Sequence, residues 1–228
     1  MKTIWLLGGA SWVSTVEYYR RINKKIHEQL GKNHSAKIIL RSMDYEDIKQ
    51  YNYKNWDKIE EKLMDEIFIL SSCPVDCILI CNNTLHKALD SILPHLNLEV
   101  PILHIVESVG EHMKVMNYKK PLLIGTKFTM EDGFYREGLE KYWFYTTLPE
   151  APDREEIQRI IVEELSREVT SETSKKWLQD MIHRYDCDSV VVACTELPLI
   201  IKQEDFENIA IVDTLEVHVD RAVAFSLE

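Results

Sequence analysis

The chain states one pattern twice. Asp76-Cys77-Ile78-Leu79-Ile80-Cys81-Asn82-Asn83-Thr84 matches Asp188-Ser189-Val190-Val191-Val192-Ala193-Cys194-Thr195-Glu196, 112 residues further on. Each copy is an acidic residue, an apolar run of strand length, then polar residues that open a helix. Two such halves imply two related domains, with the ends of these strands facing each other across a cleft. Asn82 in the first copy and Cys194 in the second should then flank whatever binds there.

The rest of the chain repeats in the same order. Ile4–Leu7 reads as a strand that runs into Gly8-Gly9-Ala10-Ser11, with a helix from near Thr15; Pro121–Ile124 followed by Gly125-Thr126 mirrors it. Ala36–Arg41 reads as a second strand. Ile59, Leu63, Ile67 and Leu70 recur at helical spacing, and Leu85–Leu93 is a helix that Pro94 helps end. Glu155–Leu165 and Ser174–Arg184 read as helices, and Ile102–Ile105 pairs with Ile211–Thr214 as a closing strand. Short strands alternating with longer amphipathic stretches give an α/β fold of two pseudo-symmetric lobes, each a largely parallel sheet flanked by helices. The first lobe is expected over 1–108, completed by a C-terminal helix over 214–228, and the second over 109–213. Ligands of open parallel sheets bind beyond the carboxyl ends of strands, which here selects Gly8–Ser11, Asn82–Thr84, Thr126–Thr129 and Cys194–Glu196.

Charge narrows the partners. With 38 acidic against 27 basic residues the net charge is −11, and no basic stripe is left to neutralise phosphates, so nucleic acid is excluded. Lys119-Lys120, Arg20-Arg21 and Lys24-Lys25 read as solvated faces. No apolar run approaches the ~20 residues that span a bilayer, so no membrane partner is expected. Five scattered cysteines, an odd number, point to free thiols and a cytoplasmic protein. Exposed aromatics, among them Trp5, Trp12 and Trp143, pick out no contact face.

Cys194 stands where a strand ends and a helix begins. A helix N-terminus carries about +0.5 of a charge, so the thiol is expected to fall from its usual ~8.5 toward a usable base. The N–H groups at Asn83-Thr84 and Thr195-Glu196 can hold a carboxylate. Ser11, Thr84, Thr126 and Thr195 offer hydroxyls without bringing charge, with helix capping as their plainer role. Cys73, Cys77 and Cys81 recur every fourth residue, but zinc would need a second ligand pair, and the strand turns Cys77 and Cys81 into packing. No metal site is expected. His86, four residues after Asn82, either reaches the cleft or caps the helix; His104 reads as a packing residue. Gly8-Gly9 lacks dinucleotide spacing, and there is no HExxH or Walker sequence.

Met1–Ile4 through Gly8-Gly9-Ala10-Ser11-Trp12 and Ser14–Tyr19 resembles the opening of the aspartate/glutamate racemase family. So do Asn82-Asn83-Thr84-Leu85-His86-Lys87, Gly125–Met130 and Ala193-Cys194-Thr195-Glu196, and the likeness covers essentially the whole chain. The resemblance implies two pseudo-symmetric lobes, no pyridoxal phosphate or other cofactor, no metal, and often a homodimer. It implies a proton exchange at Cα of an amino acid such as aspartate or glutamate, with one thiol on each face of a planar carbanion. The family's second cysteine matches Cys194; its first falls at Asn82, whose carboxamide has no titratable proton. Asn82 and Asn83 would then orient the substrate, Thr84, Thr126 and Thr195 hold its α-carboxylate, Glu196 hold its ammonium or support Cys194, and Ser11 close the pocket. A basic residue that aspartate-specific members use on the distal carboxylate has no match near Ile48–Tyr51. Single-thiol relatives resemble arylmalonate decarboxylases, which need an acid on one face only, and an amino-acid-binding protein without turnover is a further alternative.

Overall fold

The computed structural model describes residues 1–51, 54–69, 73–167 and 169–228. Leu70, placed by its spacing on a helix, lies outside the described residues. The chain divides into two compact units, Met1–Ile105 with His218–Glu228, and Val106–Val217.

In the first unit the order is β1 (Thr3–Gly8), α1 (Trp12–Leu30), β2 (Lys37–Ser42), α2 (Glu46–Lys49), α3 (Trp56–Ile69), β3 (Cys77–Ile80) and α4 (Leu85–Ile92). α5 (Ile105–Val115) opens on the last residue of that unit. The second unit holds β4 (Pro121–Gly125), α6 (Lys127–Glu131), α7 (Phe134–Glu140), α8 (Ala151–Arg159), α9 (Glu172–Ile182), β5 (Ser189–Ala193) and β6 (Ala210–Asp213). α10 (Thr214–Leu227) closes the chain, and its residues from His218 onward belong to the first unit. Among the described residues no helix is long and apolar enough to cross a membrane.

The two sheets are parallel throughout, in the orders β2-β1-β3 and β4-β5-β6. Single bridges extend each of them. Ile102 pairs with Ile78 beyond β3, and Thr147 pairs with Leu122 beyond β4. The orders thus become β2-β1-β3-Ile102 and Thr147-β4-β5-β6, which are the same topology. In one repeat the last strand has shrunk to a bridge; in the other the second strand has. The closing strand expected over 102–105 is accordingly only this bridge, because Ile105 already starts α5.

The acidic residue that opens each repeated segment has a structural job. Asp76 accepts the Thr3 amide at 2.6 Å, while its own N–H donates to Thr3 O at 2.9 Å. Asp188 accepts the amides of Lys119 and Lys120 at 2.6 and 3.0 Å, and its N–H donates to Lys120 O at 3.1 Å. Each carboxylate pins the start of the neighbouring strand and so sets the register, Ile4 beside Cys77 and Pro121 beside Ser189.

β1, β3, β4 and β5 are buried along their length, as parallel strands covered on both faces must be. Trp5, expected at the surface, is fully buried against Ile59, Leu63 and Ile78 for this reason; Trp12 and Trp143 are exposed at 68% and 87%. α1 begins at Trp12 rather than near Thr15, because Ser11 caps it. The stretch read as one helix over Glu155–Leu165 starts at Ala151 and passes at Ile160–Glu164 into a π-helical turn.

The turn after β1 is set by glycine. Gly9 has φ +99°, and a Cβ there would stand 2.0 Å from Met43 O. Gly9→Ala should cost at least about 2 kcal/mol in urea unfolding. Gly31, at φ +66° and ψ −162° with open space around it, carries a backbone penalty without the clash, so Gly31→Ala should cost less than Gly9→Ala.

Candidate active site

In the first unit the strand ends are tied down by their own polar groups. Gly9 N–H donates to Thr15 Oγ1 at 2.9 Å, and that hydroxyl donates to Ser11 O at 2.9 Å. Ser11 Oγ caps α1 on the Ser14 amide at 3.3 Å. After β3, Asn82 Oδ1 accepts the Leu85 N–H at 2.9 Å, so the carboxamide caps α4 and its NH₂ is left as the donor end. Asn83 and Thr84 are buried in the same turn. Of the expected site residues in this unit, Ser11 and Asn82 both act as caps.

In the second unit Thr126 plays the part of Ser11. Its Oγ1 caps α6 on the Thr129 amide at 3.3 Å and lies 2.9 Å from Thr129 Oγ1. Gly125 is required beside it, since a Cβ would stand 2.8 Å from Ala193 O. Cys194 follows β5 directly and is 5% exposed, its side chain part of the apolar cluster with Met130, Leu197 and Ile200. The Glu196 and Leu197 backbone amides act on its sulfur in favour of the thiolate. Its S–H donates to Glu196 Oε2 at 3.1 Å, and Thr195 Oγ1 donates to the same oxygen at 2.8 Å.

The two strand ends are similar in one further respect: Asn82 Oδ1 accepts the Leu85 amide, and the Leu197 amide, its counterpart 112 residues on, acts on Cys194 in favour of the thiolate. The environment of the thiol differs from the expectation in one respect. Burial pushes its pKa well up, the Glu196 carboxylate adds to the rise, and the two amides oppose it without winning. The helix expected to lower it is a single 3-10 turn, Leu197–Leu199, with Pro198 inside it. One turn of backbone has little macrodipole to offer. The resting group is a thiol.

His86 does not project as a catalytic side chain. Its Nδ1–H donates to Asn82 O at 2.8 Å, its Nε2 is buried without a hydrogen-bond partner, and its ring packs edge-on against His104 at 4.5 Å and His218 at 5.8 Å. His218 Nε2–H donates to Leu103 O at 2.6 Å, which leaves Nδ1 to accept the Tyr18 O–H at 2.9 Å. Asp90 Oδ1 lies 3.4 Å from His104 Nε2. The strand-end turn that carries Asn82 thus rests on buried imidazoles from three segments of the first unit. Histidines 86, 104 and 218 are too far apart in sequence for spacing alone to group them. Among the described residues no set of three or more His, Cys, Asp or Glu side chains could hold a metal ion.

Residues 7–222 match the profile of the Asp/Glu/hydantoin racemase family. The chain belongs to that family. It is 36% identical to a proposed Asp/Glu racemase from Yersinia pestis, covering 100% of both chains with a TM-score of 0.92. Against an aspartate racemase homologue from Pyrococcus horikoshii the figures are 30%, 100% of both chains and 0.89. The Picrophilus torridus aspartate racemase shares the fold at 22% identity and a TM-score of 0.78, over 99% of this chain and 94% of that one.

Within this Asp/Glu/hydantoin racemase family member the thiol and the imidazoles make opposite demands on pH. Glu196→Gln removes the carboxylate that holds the Cys194 proton, so Cys194 should be alkylated faster at a fixed pH near 8. Peptide mass spectrometry distinguishes this thiol from the other four; an unchanged rate would mean Glu196 does not control it.

His218 is held at about 4 by burial, against 6.5 when free, with the Leu103 carbonyl opposing the shift and His104 adding to it. The unfolded chain therefore binds a proton before the folded one does. The stabilisation is complete above pH 6.5 and is lost as pH falls toward 4, by roughly 3 kcal/mol. Urea titrations between pH 7 and 4 should show this slope, flattened in His218→Phe.

Proposed function

We propose that this chain is a cofactor-independent amino-acid racemase or epimerase that exchanges the proton at Cα of a small amino acid, aspartate and glutamate included in the range to be tested. One observation carries the reading: Cys194, at the end of β5, donates its S–H to Glu196 Oε2 3.1 Å away, with two backbone amides acting in favour of the thiolate. The substrate ammonium pairs with Glu196, the thiol proton passes to water, and the Glu196 and Leu197 amides favour the thiolate that is left. The thiolate then removes the Cα proton, and the electron pair is left on a carbanion conjugated with the substrate carboxylate. Return of the proton from Cys194 restores the same enantiomer; delivery of a proton from a water molecule on the other face inverts it and leaves hydroxide, which takes up the proton held by Cys194. Hydroxyls of Thr84, Thr126 and Thr195 hold the α-carboxylate, Glu196 receives the ammonium, and Ser11 completes the lining. Family membership supports racemase-like chemistry at this thiol.

Asn82 limits the second face. It holds no proton of useful pKa, and its oxygen is committed to Leu85, so its NH₂ can only orient a substrate or a water. This favours unequal rates for the two enantiomers. It also supports a second reading, a single-thiol decarboxylase in which Cys194 protonates the carbanion left by loss of CO₂.

The test is proton NMR in heavy water. Loss of the Cα–H signal should occur with the wild type, differ at least several-fold between enantiomers, and vanish in Cys194→Ala. Exchange surviving in Cys194→Ala would remove the thiol from the mechanism. No exchange, with CO₂ released from substituted malonates, would establish the second reading instead. Asn82→Cys places a thiol on the Leu85 amide and should raise the slower direction at least tenfold.

A further inference from the structure

Among the described residues the turn after β3 engages every polar group of Asn82 but one. Its N–H donates to Ile80 O at 2.9 Å, its Oδ1 accepts the Leu85 N–H at 2.9 Å, and its carbonyl accepts the Nδ1–H of His86 at 2.8 Å. We propose that His86 is a positioning residue, which holds the Asn82 carbonyl so that the carboxamide NH₂ keeps one direction toward the substrate or water it orients. The proposal rests on the function given above and names the side chain that sets up its second face.

An α-helix start would satisfy this carbonyl with the backbone N–H four residues on. Here the His86 N–H donates to Asn83 O at 3.2 Å instead, and the ring of the same residue takes its place on Asn82. The three contacts act on different parts of Asn82. The bond to Ile80 fixes the peptide plane before it, the bond from His86 fixes the plane after it, and the cap on Leu85 fixes the side chain between them. What is left is an NH₂ with no freedom to turn away.

The imidazole is arranged to donate at Nδ1 and to stay uncharged. His86 is fully buried, and its Nε2 has no hydrogen-bond partner among the described residues. A proton there would be a buried donor without an acceptor, so the network assigns the proton to Nδ1. The neighbouring His218 offers no acceptor, since its Nε2–H goes to Leu103 O and its Nδ1 to the Tyr18 hydroxyl. Burial, and after it His104 and His218, pushes the His86 pKa well below the usual 6.5. The rings of His104 and His218, edge-on at 4.5 and 5.8 Å, hold its plane.

The other copy of the repeat lacks this device. The counterpart of His86, 112 residues on, is Pro198, which has no donor on backbone or side chain. A thiol acts by its proton and can do without such a brace. A carboxamide acts only by where its NH₂ lies, and it is the carboxamide that has the histidine.

The experiment compares wild type with His86→Asn, whose NH₂ replaces Nδ1, His86→Gln, whose NH₂ replaces Nε2, and His86→Leu, which has neither. The first readout is ¹⁵N relaxation of the Asn82 side-chain amide, assigned by its loss in Asn82→Asp. It should be rigid in wild type and His86→Asn, and mobile in His86→Gln and His86→Leu. The second is the number of inversions per Cα–H exchange event in heavy water, with aspartate and glutamate as substrates. It should fall at least about fivefold in His86→Gln and His86→Leu and recover to within about twofold of wild type in His86→Asn. A packing role alone would not favour Asn over Gln, so equal effects of the two, or no effect of either, overturn the inference on whichever readout they appear. If His86→Leu does not fold, the Asn and Gln pair carries the comparison. If wild type exchanges nothing, the racemase reading falls and amide relaxation decides: mobility restored to rigidity by Asn but not by Gln sustains the positioning role, and any other pattern overturns it.

Discussion

The proposed chemistry depends on what stands just past the end of a central strand, three residues before a backbone amide that opens the next turn. The Leu85 and Leu197 amides are the orphan donors that any helix start exposes. Each must be satisfied, and the residue at the strand end satisfies it. In one unit that residue is Asn82, whose oxygen accepts the amide; in the other it is Cys194, whose thiolate form the amide favours. A capping position thus doubles as a receptor for a thiolate, with no charged residue required to create it.

The duplication supplies two such positions, and the sequence has filled only one with a group that titrates. The scaffold beneath remains symmetric. Asp76 and Asp188 clamp equivalent strands, Ser11 and Thr126 cap equivalent helices, and the two sheets have one topology. What differs is local. Asn82 is supported by the carbonyl contact to His86 and the imidazoles behind it, whereas Cys194 is flanked by a carboxylate. The asymmetry of the two strand ends is therefore written in two or three side chains on a fold that is otherwise repeated.

Much of this was legible before any coordinates, and the reason is physical. Parallel strands buried on both faces appear as uninterrupted apolar runs, and turns into helices appear as Gly, Ser, Thr and Asn, so both copies of the pattern stood out. The family followed from the residues at those turns. Less legible were features decided by packing at long range. Trp5 reads as an exposed aromatic until β1 is known to be central. The grouping of His86, His104 and His218 exists only once the C-terminal segment joins the first unit. The thiol pKa was misjudged because the sequence shows a helix-opening pattern after Cys194. The structure forms only one 3-10 turn there, and burial outweighs what that turn contributes.

That raised pKa bears on the proposed chemistry in a way opposite to first intuition. A thiol lowered far below neutrality would be plentiful as thiolate, yet weak as a base toward a carbon acid, because basicity falls with pKa. Burial reverses the balance: thiolate is scarce at rest but strongly basic once formed. The scarcity is tolerable only if substrate binding relieves it, and Glu196, whose Oε2 lies 3.1 Å from the sulfur, is the group through which it would do so. A substrate ammonium arriving at Glu196 neutralises the carboxylate that keeps the thiol protonated. It thereby lowers the cost of the thiolate at the moment a Cα proton is within reach. The acidic neighbour that makes Cys194 inert in the empty protein would be what lets an amino acid, and little else, switch it on.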